Sequence, residues 1–226
     1  MLMTSVIKWS YSSIKLFEQC PRKYYHLRVV KDILEPETEA MLYGTRFHEA
    51  AEFYVRDGTP MPEYFNFAKP VLDNLRQLPG EKLCEHKMGI TEDLQPCSFD
   101  DPKAWFRGIA DLLILDREKG EARIVDYKTG KSAKYADPDQ LELMSLCVFK
   151  HFPEITKAKG GLLFVVCNAF ITGKYNNKQQ DVLWERWIRN HSRIKIAFAN
   201  DTWNPKPSGL CRRHCSVLSC SHNGRS

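Results

Sequence analysis

Apolar positions change their spacing twice along this 226-residue chain. Between residues 10 and 30, Ser10, Ser12 and Ser13 can cap a helix, and Ile14, Phe17, Cys20 and Tyr24 follow at helical intervals. Pro21 divides that segment into two short helices. Residues 39–57 carry Leu42, Phe47, Ala50, Ala51 and Tyr54 on one helical stripe, stopped by Asp57-Gly58, and a further helix over 62–78 ends at Pro79-Gly80. From Lys82 the period shortens, so that 82–91, 104–115 and 123–129 read as strands separated by turn-rich segments. Residues 139–152 return to a helical pattern. The nearly all-apolar stretch 160–168 reads as a buried strand, 169–174 as a short further strand, and 178–199 as a long amphipathic helix. The order α, βββ, α, β, α predicts an α/β fold with helices packed on a mixed sheet. The last 26 residues have no periodicity and need something to hold them.

Composition sharpens this picture mainly by exclusion. Apolar residues make up 43%, aromatics 12% and charged residues 27%, the balance of a chain that buries a real core, so disorder is excluded. No apolar stretch approaches the ~20 residues of a membrane helix. The start, MLMTSVIKWSYSS, lacks the apolar stretch and cleavage site of a secretory signal, which predicts a cytoplasmic location and reduced cysteines. A formal charge of +5 permits a polyanionic partner without demanding one.

The chemistry concentrates in two predicted strands, FRGIADLLILD and ARIVDYKTGK, each with one acid inside an apolar run. If Asp116 pairs with Glu121 across the intervening turn, the same register sets Asp111 opposite Asp126. Two facing carboxylates repel unless a cation sits between them, and magnesium or manganese, hard ions with oxygen ligands, suit such a pair. Alternation puts Lys128 on the face of Asp126, where an ammonium could orient an attacking water and stabilise phosphoryl oxygens. Metal, water and ammonium together outline phosphodiester hydrolysis.

Gly108-Ile109-Ala110-Asp111, followed by Asp126-Tyr127-Lys128, resembles the PD-(D/E)xK nuclease superfamily, in particular its RecB-like exonuclease branch. Gly44-x3-His48-x3-Glu52 is similar to that branch's upstream helical motif, and the three pieces occur in the family's order. The resemblance implies a restriction-endonuclease-like core, a central mixed β-sheet flanked by helices with a cysteine-rich terminal lobe. It implies metal ligation by His48, Asp111, Asp126 and the carbonyl of Tyr127, with Lys128, Asp126 and Asp111 catalytic. Glu85 matches an acidic position near the metal in many members, although a strand Glu facing solvent fits its sequence equally well. Gln140 begins the next helix as in family members, where it contacts the catalytic strand or the nucleic-acid backbone; the Tyr common four residues later is Met144 here.

Cys84, Cys97, Cys147 and Cys167 fall in apparent core elements and read as small buried hydrophobes. Cys211-x3-Cys215-x4-Cys220 is different, since three clustered thiols want a fourth ligand, available from Cys20, His214 or His222. Zinc and an iron-sulfur cluster both suit such a set. In the RecB-like branch a Cys-Pro before the helical motif joins three C-terminal cysteines around a 4Fe-4S cluster; Cys20-Pro21 fits that place, while the spacing here departs from the usual x2 and x5. On this reading residues 1–226 form one nuclease domain, with a catalytic core over 39–199 and a cysteine-anchored lobe from 10–30 and 201–226. The resemblance implies hydrolysis of DNA with free ends, in recombination, repair or genome processing, with a recombination or replication protein as possible partner. The compact tail also resembles bacteriophage exonucleases, which would place the protein in the host cytoplasm. An endonuclease, an RNA nuclease of the same fold, and a non-catalytic nucleic-acid-binding adaptor are the alternatives.

Overall fold

A computed structural model describes residues 6–225 and resolves them into two compact units, residues 6–8 with 38–184 and residues 9–37 with 185–225. The larger unit is built on a six-stranded sheet in the order β2-β1-β3-β4-β5-β6. Its strands are β1 (Glu81–Thr91), β2 (Pro96–Cys97), β3 (Ala104–Asp116), β4 (Glu121–Lys128), β5 (Lys157–Phe164) and β6 (Ala169–Asn176). All neighbours pair antiparallel except β4 and β5, which are parallel. A parallel pair needs a crossover, and α5 (Asp139–His151) supplies it. The expected α/β architecture, a mixed sheet flanked by helices, is therefore present.

Side-chain parity assigns the two faces. On one, Leu112, Ile114, Val125, Tyr127 and Leu163 form a core with Phe47, Ala51 and Tyr54 of α3 (Glu39–Asp57) and Leu72 of α4 (Lys69–Gln77). On the other, Leu162 and Phe164 pack with Leu141 of α5. One-residue alternation thus sends successive residues of β5 into different cores. Trp184 is fully buried and its ring meets Trp105 and Phe106.

The smaller unit contains α1 (Tyr11–Gln19), capped by Ser10 and Ser13 as its sequence suggests, and α2 (Pro21–Tyr24), which continues as a π-helical turn over Tyr25–Val30. Its core is aromatic. Trp203 stacks on Tyr24 and meets Phe17, Tyr25 and Phe198, while Trp9 stacks on Trp187 and His191. The last helix, α6 (Gln180–Ala199), begins in the larger unit and ends in the smaller. Beyond it the only regular element among the described residues is a 3-10 turn, Gly209–Arg212.

Boundaries shift where local geometry overrides periodicity. The helix expected over 62–78 is a 3-10 segment, Glu63–Ala68, followed by α4, and the two-residue β2 had no sequence signal. The strand expected over 160–168 runs instead over Lys157–Phe164; residues 166–168 lie exposed in the turn to β6, with Asn168 at φ 53°. Cys167 is consequently exposed rather than buried. Cys147 is buried as expected, and Cys84 and Cys97 are partly so.

Close approach of α5 to β5 depends on Gly160, where a Cβ atom would lie 2.8 Å from Leu141 Cβ. Because Leu141 Cβ is fixed to the helix backbone, relief requires the helix to move. Gly160→Ala is expected to lower stability by about 1–3 kcal/mol, read as a reduced urea midpoint with unchanged m-value.

Candidate active site

The register of β3 with β4 has the sum inferred from sequence, with Asp116 opposite Glu121 and Leu112 opposite Val125. The next position in that register would pair Asp111 with Asp126, but the ladder stops one step short. Asp111 Oδ2 instead accepts the backbone N–H of Tyr127 at 2.6 Å. Both carboxylates are nevertheless buried, each 8% exposed, and they still repel one another.

Asp126 carries the cost. Burial first, and then the charge of Asp111, raise its pKa from 3.8 to about 6, against the pull of Lys128 and His48. That displacement makes the ionised form about 3 kcal/mol less favourable than in water. Two neighbours hold the group in place, joined to each other as well as to it. Lys128 Nζ lies 2.6 Å from Asp126 Oδ2, the side-chain amide of Gln140 donates to Asp126 Oδ1, and Lys128 Nζ donates to Gln140 Oε1 at 3.0 Å. Asp126 Oδ2 has no properly directed hydrogen bond, so its contact with Lys128 is chiefly an ion pair. Gln140, on the first turn of α5, thereby joins the two side chains that β4 projects to one face.

A second cluster adjoins it. His48 of α3, Glu85 of β1 and Asp111 of β3 bring one donor atom each within 4.8 Å of one another. His48 Nδ1 is 3.7 Å from Glu85 Oε1 and 3.4 Å from Asp111 Oδ2, and its Nε2 is 3.1 Å from the carbonyl oxygen of Tyr127. Burial pulls the imidazole's pKa down, but hydrogen bonds and charge from Asp111 and Glu85 outweigh it and raise the pKa to about 10. Glu85 is aimed here by unusual backbone. Cys84 pairs with Leu112 and His86 with Ala110, while Glu85, between them and opposite Asp111, is unpaired at φ 46°. The left-handed region costs a non-glycine residue about 1 kcal/mol or more, which fits a side chain redirected by its site.

Of the residues singled out in the sequence, Asp111, His48, Glu85 and the Tyr127 carbonyl converge, and Asp126, Lys128 and Gln140 form the adjoining group. Glu85 is not a solvent-facing strand residue. Glu52, the last member of the helical motif, pairs with Arg56 in an open pocket that it shares with Thr45, His48, Glu49 and Glu85. Met144 packs its sulfur over Gly108, where a Cβ would come within 2.9 Å. One imidazole nitrogen, carboxylate oxygens and a backbone carbonyl make a donor set suited to a hard divalent cation.

The smaller unit has its own cluster. Cys20, Cys211, Cys215, Cys220 and His222 line one pocket, and all eight cysteines of the chain are free. The backbone N–H of Lys206 points to Cys20 Sγ at 3.5 Å and that of Ser208 to Cys211 Sγ at 3.4 Å. Asn223, 5% exposed, ties the segment together by donating to the carbonyls of Cys215 and Val217. Among the described residues, no three of these sulfur and imidazole donors lie within 4.8 Å of one another. His214 does not line the pocket.

No curated protein sequence matches the chain. Among solved structures, the crystal structure of the "Putative exonuclease" of Eubacterium rectale is similar over 93% of this chain and 88% of that one, at 13% identity and a TM-score of 0.56, a likeness of fold. The protein SSO0001 is similar over 96% of this chain and 87% of its own, at 13% identity and a TM-score of 0.46. The sequence profile of the PD-(D/E)XK nuclease superfamily matches residues 8–220, nearly the whole chain and every residue of both side-chain groups around β4. The chain belongs to the PD-(D/E)XK nuclease superfamily.

Proposed function

We propose that the protein is a magnesium- or manganese-dependent deoxyribonuclease that hydrolyses phosphodiester bonds at DNA ends, in recombination, repair or genome processing. The observation that carries this reading is a buried carboxylate, Asp126, held by Lys128 and Gln140 beside the His48, Glu85 and Asp111 cluster. Preference for ends rests on the order of the three motifs, which resembles the RecB-like branch.

His48, Glu85, Asp111, Asp126 and the Tyr127 carbonyl would hold the cation, which supplies a lowered pKa for water and positive charge for a phosphoryl oxygen. Lys128 has three N–H donors, gives one to Gln140 and pairs by charge with Asp126, which leaves donor capacity for the attacking water or a phosphoryl oxygen. Gln140 fixes that ammonium, so Lys128 needs no reorganisation as negative charge grows on phosphorus. The water oxygen forms the new P–O bond as its proton passes to solvent, and the bond from phosphorus to the departing nucleotide oxygen breaks, that oxygen taking a proton from solvent.

End-labelled linear DNA with magnesium or manganese tests the reading. Asp126→Asn and Lys128→Ala are expected to lose on the order of a hundredfold or more in cleavage rate. Cleavage at parental rates by both variants would overturn it, equal cutting of covalently closed circles would convert it to an endonuclease, and binding without cleavage to an adaptor. Asp126→Asn is also expected to be more stable than the parent in metal-free buffer at pH 7.5, by up to about 3 kcal/mol in urea unfolding. The sign follows from the raised folded pKa: the folded state favours the protonated acid, and stability is lost as pH rises from 3.8 through about 6.

Ligation requires His48 and Asp126 to shed protons. Manganese affinity, measured by titration calorimetry, is therefore expected to fall on the order of a hundredfold between pH 7.5 and 5.5. A pH-independent affinity would remove His48 from the ligand set.

The cysteine pocket is proposed to hold a 4Fe-4S cluster through Cys20, Cys211, Cys215 and Cys220. The reading rests on the four thiols lining one pocket and on the resemblance to the RecB-like branch. The N–H groups aimed at Cys20 and Cys211 suit bound thiolates. When bound, such a group cross-links the smaller unit between its first helices and its tail. Protein purified without oxygen is expected to be brown with iron and sulfide near four each, and Cys215→Ser to be colourless; stoichiometric zinc instead would reverse the assignment.

A further inference from the structure

Outside both clusters, three cations stand side by side across the sheet. Arg123 of β4 is paired with Lys159 of β5, and Lys159 with Lys174 of β6, so the three occupy one row over three adjacent strands. With Lys157 and Glu121 they line an open groove, in which Lys159 and Lys174 are exposed and Arg123 is half-buried. Parity puts the row on the face that α3 and α4 cover further along, where Val125, Tyr127 and Leu163 are buried.

Like charges directly opposite one another in a sheet are destabilising. The acids nearby offset the row only in part: Asp116 feels the charge of Arg123, but its close partner is Lys119. Glu121 pairs with Lys157 at 3.5 Å and Asp116 with Lys119 at 2.6 Å, and among the described residues no salt bridge holds Arg123, Lys159 or Lys174. The sheet therefore maintains a positive row at a cost to its own stability. Strands are about 4.8 Å apart, so the row extends roughly 10 Å and long side chains let it meet successive charges of an extended polyanion. Arg123 lies three residues before Asp126 on the same strand, roughly 10 Å along it and on the opposite face of the sheet.

We infer that the open face of β4, β5 and β6 binds the sugar-phosphate backbone of nucleic acid through Arg123, Lys159 and Lys174. This interface rests on the nuclease reading and extends it, giving the substrate a sequence-independent phosphate track away from the hydrolytic residues.

Lys159→Glu tests this by dividing stability from binding. It sits between Arg123 and Lys174, where an acid turns two repulsive neighbours into two attractive ones. The variant is expected to melt at a higher temperature than the parent. Its affinity for labelled linear DNA, followed by anisotropy in EDTA over 50–200 mM salt, is expected to fall on the order of tenfold or more. The milder Lys159→Gln should make the slope of log affinity against log salt shallower by about one. Parental affinity and salt slope in both variants would overturn the inference, as would an effect confined to binding of an acidic peptide. If the parent itself neither binds nor cleaves DNA, the nuclease reading fails as well; if the parent binds and both variants match it, only this interface fails.

Discussion

A carboxylate that is expensive to ionise organises this protein. Asp126 sits in the sheet with its pKa raised to about 6, beside a second buried carboxylate, and neither would be placed there by packing alone. Lys128 meets its charge from two residues along the same strand, and Gln140 bridges acid and ammonium from the first turn of the crossover helix. The β4-α5-β5 crossover therefore does more than return the chain. It sets Gln140 over the end of β4, where the ladder with β3 has just stopped and Asp111 takes up the N–H of Tyr127. Release of the ladder at that step keeps the two carboxylates near one another without a direct cross-strand pair.

Three other elements contribute to the same corner, each at a local expense. α3 brings His48 between Glu85 and Asp111, so that its imidazole holds a proton well above its ordinary range. β1 turns Glu85 through left-handed backbone instead of pairing it opposite Asp111. Repulsive carboxylates, a strained glutamate and a charged half-buried imidazole concentrated in one place mark selection for chemistry over stability. A divalent cation would offset the repulsion between the carboxylates once His48 had released its proton, and the donor set has the composition that hard divalent ions prefer.

β4 also shows how one strand serves two ends. Alternation sends Asp126 and Lys128 to the face of α5, and Val125 and Tyr127 into the core under α3 and α4. Arg123 lies on the second face beyond the helices, beside two lysines of neighbouring strands. Their row is the same kind of compromise as the carboxylate pair, with the sign of charge inverted.

Much of this was legible in the residues. Period-3.6 and period-2 runs located five of the helices and four of the strands within a few residues, because burial on one face imposes those repeats whatever the fold. The strand register followed from one turn, since antiparallel pairing leaves a single free parameter. The residues around Asp126 were legible as chemistry because a charge inside an apolar strand is costly to bury and persists only where a partner or a reaction uses it. Tertiary structure decided the rest. Whether Glu85 faced solvent or His48 depended on the sign of a single φ angle, which no spacing encodes. Gln140 could be seen as near the catalytic strand, but only the path of α5 made it the link between Asp126 and Lys128. The turn at residues 166–168 exposed Cys167 against its apolar surroundings in sequence. The alignment of Arg123, Lys159 and Lys174 in one row came from tertiary structure, since residues far apart in the chain become neighbours only through strand order and register, which nonlocal packing sets.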